Sequence, residues 1–137
     1  SVLRGRPLTV ERHRLWEVEE RVRRLLAAES FDVVQAEQVQ AVAQAAPAGR
    51  AGVPLVYRAH NVESALWTYA AAFARPLAAM LLRLEARRLA AAERAAVRRA
   101  DATIVLTELD AAPNVVRQAA PMGKRKTCQA LRLNAPW

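Results

Sequence analysis

The amino-acid sequence predicts an α/β domain with a partial Rossmann-like parallel sheet of about three strands, flanked by helices. Helix-like and strand-like segments alternate along the chain, as they do in right-handed βαβ units. The strand-like segments are short and apolar, which is expected of parallel strands that helices cover on both faces. Alanine, the strongest helix former, is abundant. The 137 residues, of which 53% are hydrophobic and 25% charged, suffice for one small domain with a core.

The first predicted element is an amphipathic helix over residues 8–29. Thr9 is its expected N-cap, and Glu11 lies in the first turn, where a carboxylate interacts favourably with the helix dipole. The apolar side chains that recur at helical spacing form one stripe: Leu15, Val18, Val22, Leu25 and Leu26.

Residues 31–34 form a short β-rich run that predicts the first strand, and residues 38–46 return to a helical pattern. The next segment is predicted to be a loop because of its turn-forming residues, Pro47, Gly49 and Gly52. Residues 53–58 predict a second strand, in which Pro54 suits the position near the strand start.

A long helical stretch covers residues 63–100, and Pro76 is expected to divide it into two helices. A third strand is predicted at residues 102–106, and the capping-box pattern of residues 107–110 begins another helix. The apolar face of the second helix carries Leu82, Ala86, Leu89, Ala96 and Val97. A separate face carries Arg83, Arg87, Arg94 and Arg98. Glu93 falls on the apolar face, where a buried carboxylate needs a partner, and an arginine within the core is the expected one.

These elements place one domain at residues 1–112 and leave residues 113–137 as a poorly ordered basic tail. Pro113 interrupts the last helix early, and residues 124–126 are all basic. No hydrophobic period is visible at residues 132–137.

The chain carries a net charge of +8 at pH 7, almost all of it from arginine. Such a charge suits an anionic membrane surface, phosphorylated ligands or nucleic acid, and it also follows from the Ala/Arg-rich composition that high GC content produces. Nucleic acid is the least favoured partner, because no recognition motif and no aromatic stacking platform is present. The single cysteine, Cys128, excludes an intrachain disulfide and suits a reducing, cytoplasmic compartment. We expect no metal, no cofactor and no membrane-spanning segment.

Polar side chains follow each predicted strand, at the edge where open parallel sheets bind ligands. They are Gln35, Glu37 and Gln38 after the first strand, His60, Asn61 and Glu63 after the second, and Thr107 and Glu108 after the third. This repetition at three strand ends predicts a site for a polar ligand.

Four segments match, in order and spacing, the pattern of one family. They are Phe31-Asp32-Val33-Val34-Gln35-Ala36-Glu37, Tyr57-Arg58-Ala59-His60-Asn61-Val62-Glu63-Ser64, Leu84-Glu85-Ala86-Arg87-Arg88-Leu89 and Arg99-Ala100-Asp101-Ala102-Thr103-Ile104-Val105-Leu106-Thr107. The run that contains them, residues 31–110, resembles part of the N-terminal, acceptor-side domain of family-4 glycosyltransferases, which have the GT-B fold. Gln35 departs from this pattern, which often has histidine there.

The resemblance implies transfer of a sugar, with retention of its configuration, from a nucleotide sugar to a glycan or a lipid-linked acceptor. His60 matches the family's histidine that contacts the donor sugar or the acceptor. Asn61, Glu63, Glu37 and Thr107 are the expected substrate-binding residues around it. As alternatives, Asn61 caps the following helix and Glu63 only begins it. Lipid-linked acceptors further imply peripheral association with an anionic inner membrane face.

Parts of the family's pattern are missing, so the resemblance predicts a fragment that is inactive alone. No Gly-rich strand precedes residue 31, and the paired glutamates and phosphate-binding loop of the donor-side domain are absent. The alternative is a non-catalytic binding or assembly module that pairs with a separate partner chain.

We predict marginal stability, because in the family's sheet the strand at residues 31–34 pairs with the missing first strand. Without that neighbour the strand is left as an exposed apolar edge, which favours aggregation or pairing with another chain. Thermal unfolding followed by circular dichroism, with the mass measured by light scattering, checks this prediction. A cooperative monomer with a high melting temperature would contradict it.

Overall fold

The computed structural model describes residues 5–106 and the backbone of residues 128–130. Its described part contains four parallel strands in the order β1-β2-β3-β4. They are β1 (Val34–Glu37), β2 (Leu55–Ala59), β3 (Ala102–Val105) and β4 (Cys128–Ala130). The helices are α1 (Leu8–Arg12), α2 (Trp16–Ala28), α3 (Gln38–Gln44), α4 (Pro47–Ala51), α5 (Glu63–Ala72) and α6 (Pro76–Arg99).

The predicted fold class is confirmed. Three parallel strands appear in the predicted order, with helices between them, and the register places Glu37 of β1 opposite Arg58 of β2. Pro76 divides the long helical stretch as expected and stands at the first position of α6, where its fixed φ suits the helix and its missing N–H is not needed. The fourth strand lies within the segment that was predicted to be a poorly ordered tail. The rest of that segment, like the helix start predicted at residues 107–110, lies outside the described residues.

The single helix predicted over residues 8–29 is wrong, because the chain breaks between α1 and α2 at residues 13–15. The His13 ring nitrogen Nδ1 donates to the Thr9 carbonyl at 2.8 Å, and the side chain of Gln44 donates to the His13 carbonyl. These side chains occupy acceptors that a continuous helix would use for its own backbone. Thr9 is not the N-cap either, since Pro7 holds that position.

Other boundaries also differ from the prediction, among them those of β2, which covers Leu55–Ala59 instead of residues 53–58. Pairing in the first strand starts at Val34, whose N–H donates to the Pro54 carbonyl at 2.9 Å, so that Gln35 and Glu37 lie inside β1 instead of following it. Residues 47–51, predicted to be a loop, form the short helix α4. Proline at the first helical position and Gly52 at φ 72° after the last are the usual helix boundaries, so the same residues that mark a turn also delimit a helix.

The core lies between the sheet and the helices α3 and α6, and small side chains dominate it. Its cluster of buried residues comprises Ala36, Val39, Val42, Ala45, Leu55, Tyr57, Ala59, Leu89, Ala96, Val97, Ala100 and Val105. The predicted apolar face of α6 is buried from Ala86 onward, whereas Leu82 is half-buried. The predicted stripe of α2 buries no residue fully, and Leu15 and Val18 on it are exposed.

Two buried glutamates of α6 hold the first turns of two other helices. Glu93, only 2% exposed, accepts hydrogen bonds from the Ser64 hydroxyl at 2.5 Å and the Ser64 N–H at 3.3 Å, in the first turn of α5. Glu85 accepts from the Thr9 N–H at 3.0 Å and hydroxyl at 3.1 Å, in the first turn of α1. The predicted arginine partner of Glu93 is therefore wrong. A carboxylate at a helix N-terminus satisfies free N–H donors and interacts favourably with the dipole, so α6 caps both helices from outside.

We predict that Glu93 makes folding stability depend on pH. Burial raises its pKa above the ordinary 4.5, although the two bonds from Ser64 oppose that rise. The folded state therefore holds the proton more tightly than the unfolded state. This contribution is complete below pH 4.5 and is lost as the pH rises through the raised pKa. Urea unfolding should be measured at a series of pH values from 4.5 upward. The free energy of unfolding should fall less with rising pH in Glu93→Gln than in the parent chain.

Glu93→Ala supplies the matched control. Alanine leaves the Ser64 hydroxyl and N–H without their acceptor, which costs about 2–3 kcal/mol at every pH. Glutamine retains both contacts, since its amide oxygen accepts from the backbone while its amide nitrogen meets the hydroxyl oxygen. Parallel curves for the parent chain and Glu93→Gln would contradict a raised pKa of Glu93.

Candidate functional site

Polar side chains from β1 and β2 meet at the carboxyl end of the sheet. Glu37 is the last residue of β1, Arg58 stands opposite it on β2, and His60 follows directly after β2. The site is partly open to solvent, with side-chain exposures of 42% for Glu37, 31% for Arg58 and 37% for His60. In an open parallel sheet this is the edge at which ligands bind.

The Glu37 carboxylate is the centre of this cluster. His60 Nε2 donates to one carboxylate oxygen, the side-chain amide of Gln35 donates to the other, and Arg58 Nη1 lies 3.4 Å from both. The bond from His60 lowers the pKa of Glu37 most, followed by the bond from Gln35, and the Arg58 charge adds to the effect. Because the bond to Glu37 uses Nε2, Nδ1 is the ring nitrogen through which His60 can meet a ligand.

The backbone at the end of β1 is strained. Gln38 adopts φ 66°, in the left-handed region that non-glycine residues rarely occupy. It turns the chain from β1 into α3 without an intervening loop. A conformation of this kind costs on the order of 1 kcal/mol and is found repeatedly at active sites and ligand-binding sites.

A second pair of polar side chains lies beside the first cluster. Gln40 of α3 donates through its amide nitrogen to both carboxylate oxygens of Glu63, at 2.9 and 3.0 Å. Its own carbonyl oxygen is buried and has no hydrogen-bond partner among the described residues. Glu63 opens α5, so the predicted helix-start position is confirmed, and Asn61 lies exposed between His60 and that helix.

The structure thus brings two of the five predicted site residues, Glu37 and His60, into direct contact. Asn61 and Glu63 follow His60 closely in the sequence. Glu63 is held by Gln40 and does not bond to the cluster around Glu37. Thr107 lies outside the described residues. The sequence analysis missed Arg58 and Gln40; a charge pair across neighbouring strands could have indicated Arg58, whereas nothing in the sequence indicates Gln40.

A separate depression lies between α1, α3 and α6. Its cationic lining comprises Arg6, Arg14, Arg50 and Arg99. Two of these arginines are paired with glutamates, Arg6 with Glu11 and Arg14 with Glu19. Arg50 and Arg99 precede β2 and β3, which places the depression toward the amino ends of the strands, away from the edge where such sheets bind ligands.

The described residues contain neither a metal-binding cluster nor a helix that could cross a membrane. No group of three or more His, Cys, Asp or Glu side chains in residues 5–106 is placed to hold a metal ion. None of the helices in the described part of the chain is both long enough and apolar enough to cross a membrane.

The fold and the cluster define a class: an open parallel α/β sheet with a polar site beyond its carboxyl edge. A comparison with protein families identifies the particular family. Residues 2–112 match the family Glycosyltransferase Family 4, which covers more than half of the 137 residues, and the chain therefore belongs to that family. No curated protein and no solved structure matches the chain significantly. Membership implies, in general terms, a nucleotide-sugar donor and an acceptor as substrates.

We predict that the contact with His60 is what lowers the pKa of Glu37. In His60→Ala the pKa of the Glu37 carboxyl should rise toward its ordinary 4.5, and it should rise less in Arg58→Ala. Carbon-13 NMR titration of the glutamate carboxyls measures both changes. The control is His13→Ala, which removes the other histidine, directly after α1, and should leave the titration of Glu37 as it is. An unchanged pKa in His60→Ala would show that the Glu37–His60 bond does not form.

Proposed function

We propose that this chain is the acceptor-side domain of a GT-B glycosyltransferase. It would form one wall of the cleft in which a sugar passes, with retention of configuration, from a nucleotide sugar to a glycan or lipid-linked acceptor. Family membership supports the reaction class. The observation that carries the proposal is the His60 ring anchored by Glu37 at the carboxyl edge of the sheet.

In this proposal His60 contacts a sugar hydroxyl. An imidazole can both donate and accept hydrogen bonds, and its cation can sit beside a phosphate. Glu37 fixes the ring orientation through Nε2, so that Nδ1 is presented to the cleft. Pre-orientation of this kind reduces the entropy that the side chain loses when the ligand binds. Arg58 adds to the bonds from His60 and Gln35 that lower the pKa of Glu37, and it would place positive charge near the donor phosphates.

Three other residues take supporting roles. Asn61 is exposed beside His60 and offers both a donor and an acceptor to hydroxyl groups. Glu63 is proposed to bind substrate with its carboxylate held in place by the side-chain amide of Gln40. Thr107, which follows β3 in the sequence, is also proposed to bind substrate. The proposed location is the cytoplasm, which suits the single cysteine.

Transfer is proposed to require a donor-binding domain in addition to this one. The sequence contains four glycines and no Gly-x-Gly-x-x-Gly pattern with which to hold a diphosphate. Catalysis depends on groups that converge on the transition state from both sides of a cleft, and this chain supplies one side. We therefore expect no sugar transfer by the chain alone.

A second candidate function is an assembly module. Among the described residues, β1 is an edge strand that pairs only with β2. An edge of this kind can accept a strand from a partner chain. Copurification with a separately encoded donor-binding chain would favour this reading over a domain of one continuous enzyme.

We predict that His60→Ala weakens sugar transfer. The assay uses this domain joined to its donor-binding domain, found by translating the DNA on both sides of the reading frame, and a panel of nucleotide sugars. Loss of one anchored hydrogen bond should lower kcat/KM by about 10- to 100-fold. The matched control, His13→Ala, removes an exposed histidine directly after α1 and should retain full activity. Full activity of a folded His60→Ala enzyme would overturn the proposed role.

A further inference from the structure

The depression between α1, α3 and α6 is a cavity of about 410 Å³, which is within the size range of small-molecule sites. Among the described residues, its lining consists of charged and apolar side chains. The charged ones are the four arginines and two glutamates, Glu11 and Glu19, and every other lining residue is alanine, valine or proline. We call this site the arginine cavity.

The floor of the arginine cavity is apolar and continuous with the core. Val39 and Val42 of α3 and Ala96 of α6 are buried members of the core cluster, and Ala92 packs against that cluster. These side chains neither donate nor accept hydrogen bonds. A ligand hydroxyl placed on them would lose its bonds to water without replacement, which is costly. The floor therefore suits a hydrocarbon group and disfavours a sugar.

The charges that line the arginine cavity do not balance. Each of the two glutamates pairs with one arginine that flanks α1. Arg50 and Arg99 have no salt-bridge partner among the described residues. Both lie in the last turn of a helix, α4 and α6 respectively, where the helix dipole favours a cation. That position explains each arginine singly, but two unneutralised guanidinium groups at one cavity repel each other, and a bound anion would remove the repulsion.

The wall that α1 contributes is fixed at both of its ends. Glu85 of α6 accepts a hydrogen bond from the Thr9 N–H at 3.0 Å, and the side chain of Gln44 on α3 donates to the His13 carbonyl. These two contacts tie α1 to the two helices that form the rest of the cavity. A ligand would therefore meet a site that is already formed, which reduces the entropy cost of binding.

We propose that the arginine cavity binds an organic phosphate, with the phosphoryl group between Arg50 and Arg99 and an apolar body on the floor of alanine and valine. A phosphate monoester carries nearly two negative charges at pH 7, which match the two unpaired arginines. The planar guanidinium fork also fits phosphate oxygens in bidentate fashion. The proposal goes beyond the proposed function, since none of the candidate site residues lines this cavity, which lies toward the amino ends of the strands.

The test is an NMR titration of the full chain with phenyl phosphate. We expect saturable binding with a Kd of about 1 mM, which suits so small a ligand. Inorganic phosphate and phenol each supply one half of this ligand, so each should bind at least about tenfold more weakly. The amide signals that shift should include those of residues 92–99 on α6.

A pair of double variants tests the charges. Arg50→Ala combined with Arg99→Ala should weaken the binding of phenyl phosphate by at least about tenfold. The matched control, Arg12→Ala combined with Arg21→Ala, removes the same net charge from exposed positions on α1 and α2 that do not line the cavity, and should bind as the parent chain does. Circular dichroism verifies that both variants fold.

A second pair of variants tests the floor with all charges kept. Ala95→Phe places a ring at a cavity-lining position of α6 and should weaken binding by at least about tenfold, because it takes the space of the ligand. Ala78→Phe makes the same change at an exposed position of α6 outside the cavity and should have no effect.

Arg58→Ala separates this site from the candidate site at the carboxyl edge and should leave the titration unchanged. A loss of binding in Arg58→Ala would assign the phosphate to the carboxyl edge and overturn the proposal. Equal losses in the two double variants, unchanged binding in Ala95→Phe, or no saturation with phenyl phosphate up to about 10 mM would overturn it as well. Inorganic phosphate that binds as tightly as phenyl phosphate would contradict the role of the floor.

Discussion

The buried contact between Glu93 and Ser64 is the constraint on which the rest of the structure depends. It fixes the first turn of α5 against α6, and that turn follows within three residues of His60. The direction in which the chain leaves β2 is therefore set by a carboxylate in the core. His60 reaches Glu37 only because β1 and β2 are in register and because the following helix is held in place.

Polar anchors supplement the apolar core, in which alanine is common. Alanine side chains bury little apolar area, so each contributes little of the hydrophobic stabilisation that larger side chains provide. Glu85 and Glu93 supply directional contacts instead, and they connect the 24-residue helix α6 to α1 and α5. The raised pKa of Glu93 is the consequence, since the same burial that strengthens its hydrogen bonds disfavours its charge.

The sequence predicted what depends on local pattern and on topology. Alternating segments gave the parallel sheet, Pro76 gave the division of the long helix, and the carboxyl-edge rule brought Glu37 and His60 together. The predictions that failed depend on contacts between residues that are far apart in the sequence. The helix α1 ends where the side chain of Gln44 donates a hydrogen bond to the carbonyl of His13, 31 residues earlier. Glu93 accepts a hydrogen bond from a serine that lies 29 residues away. Neither partner can be predicted from the spacing of residues along one helix, because any suitably placed hydrogen-bond donor would satisfy the same acceptor.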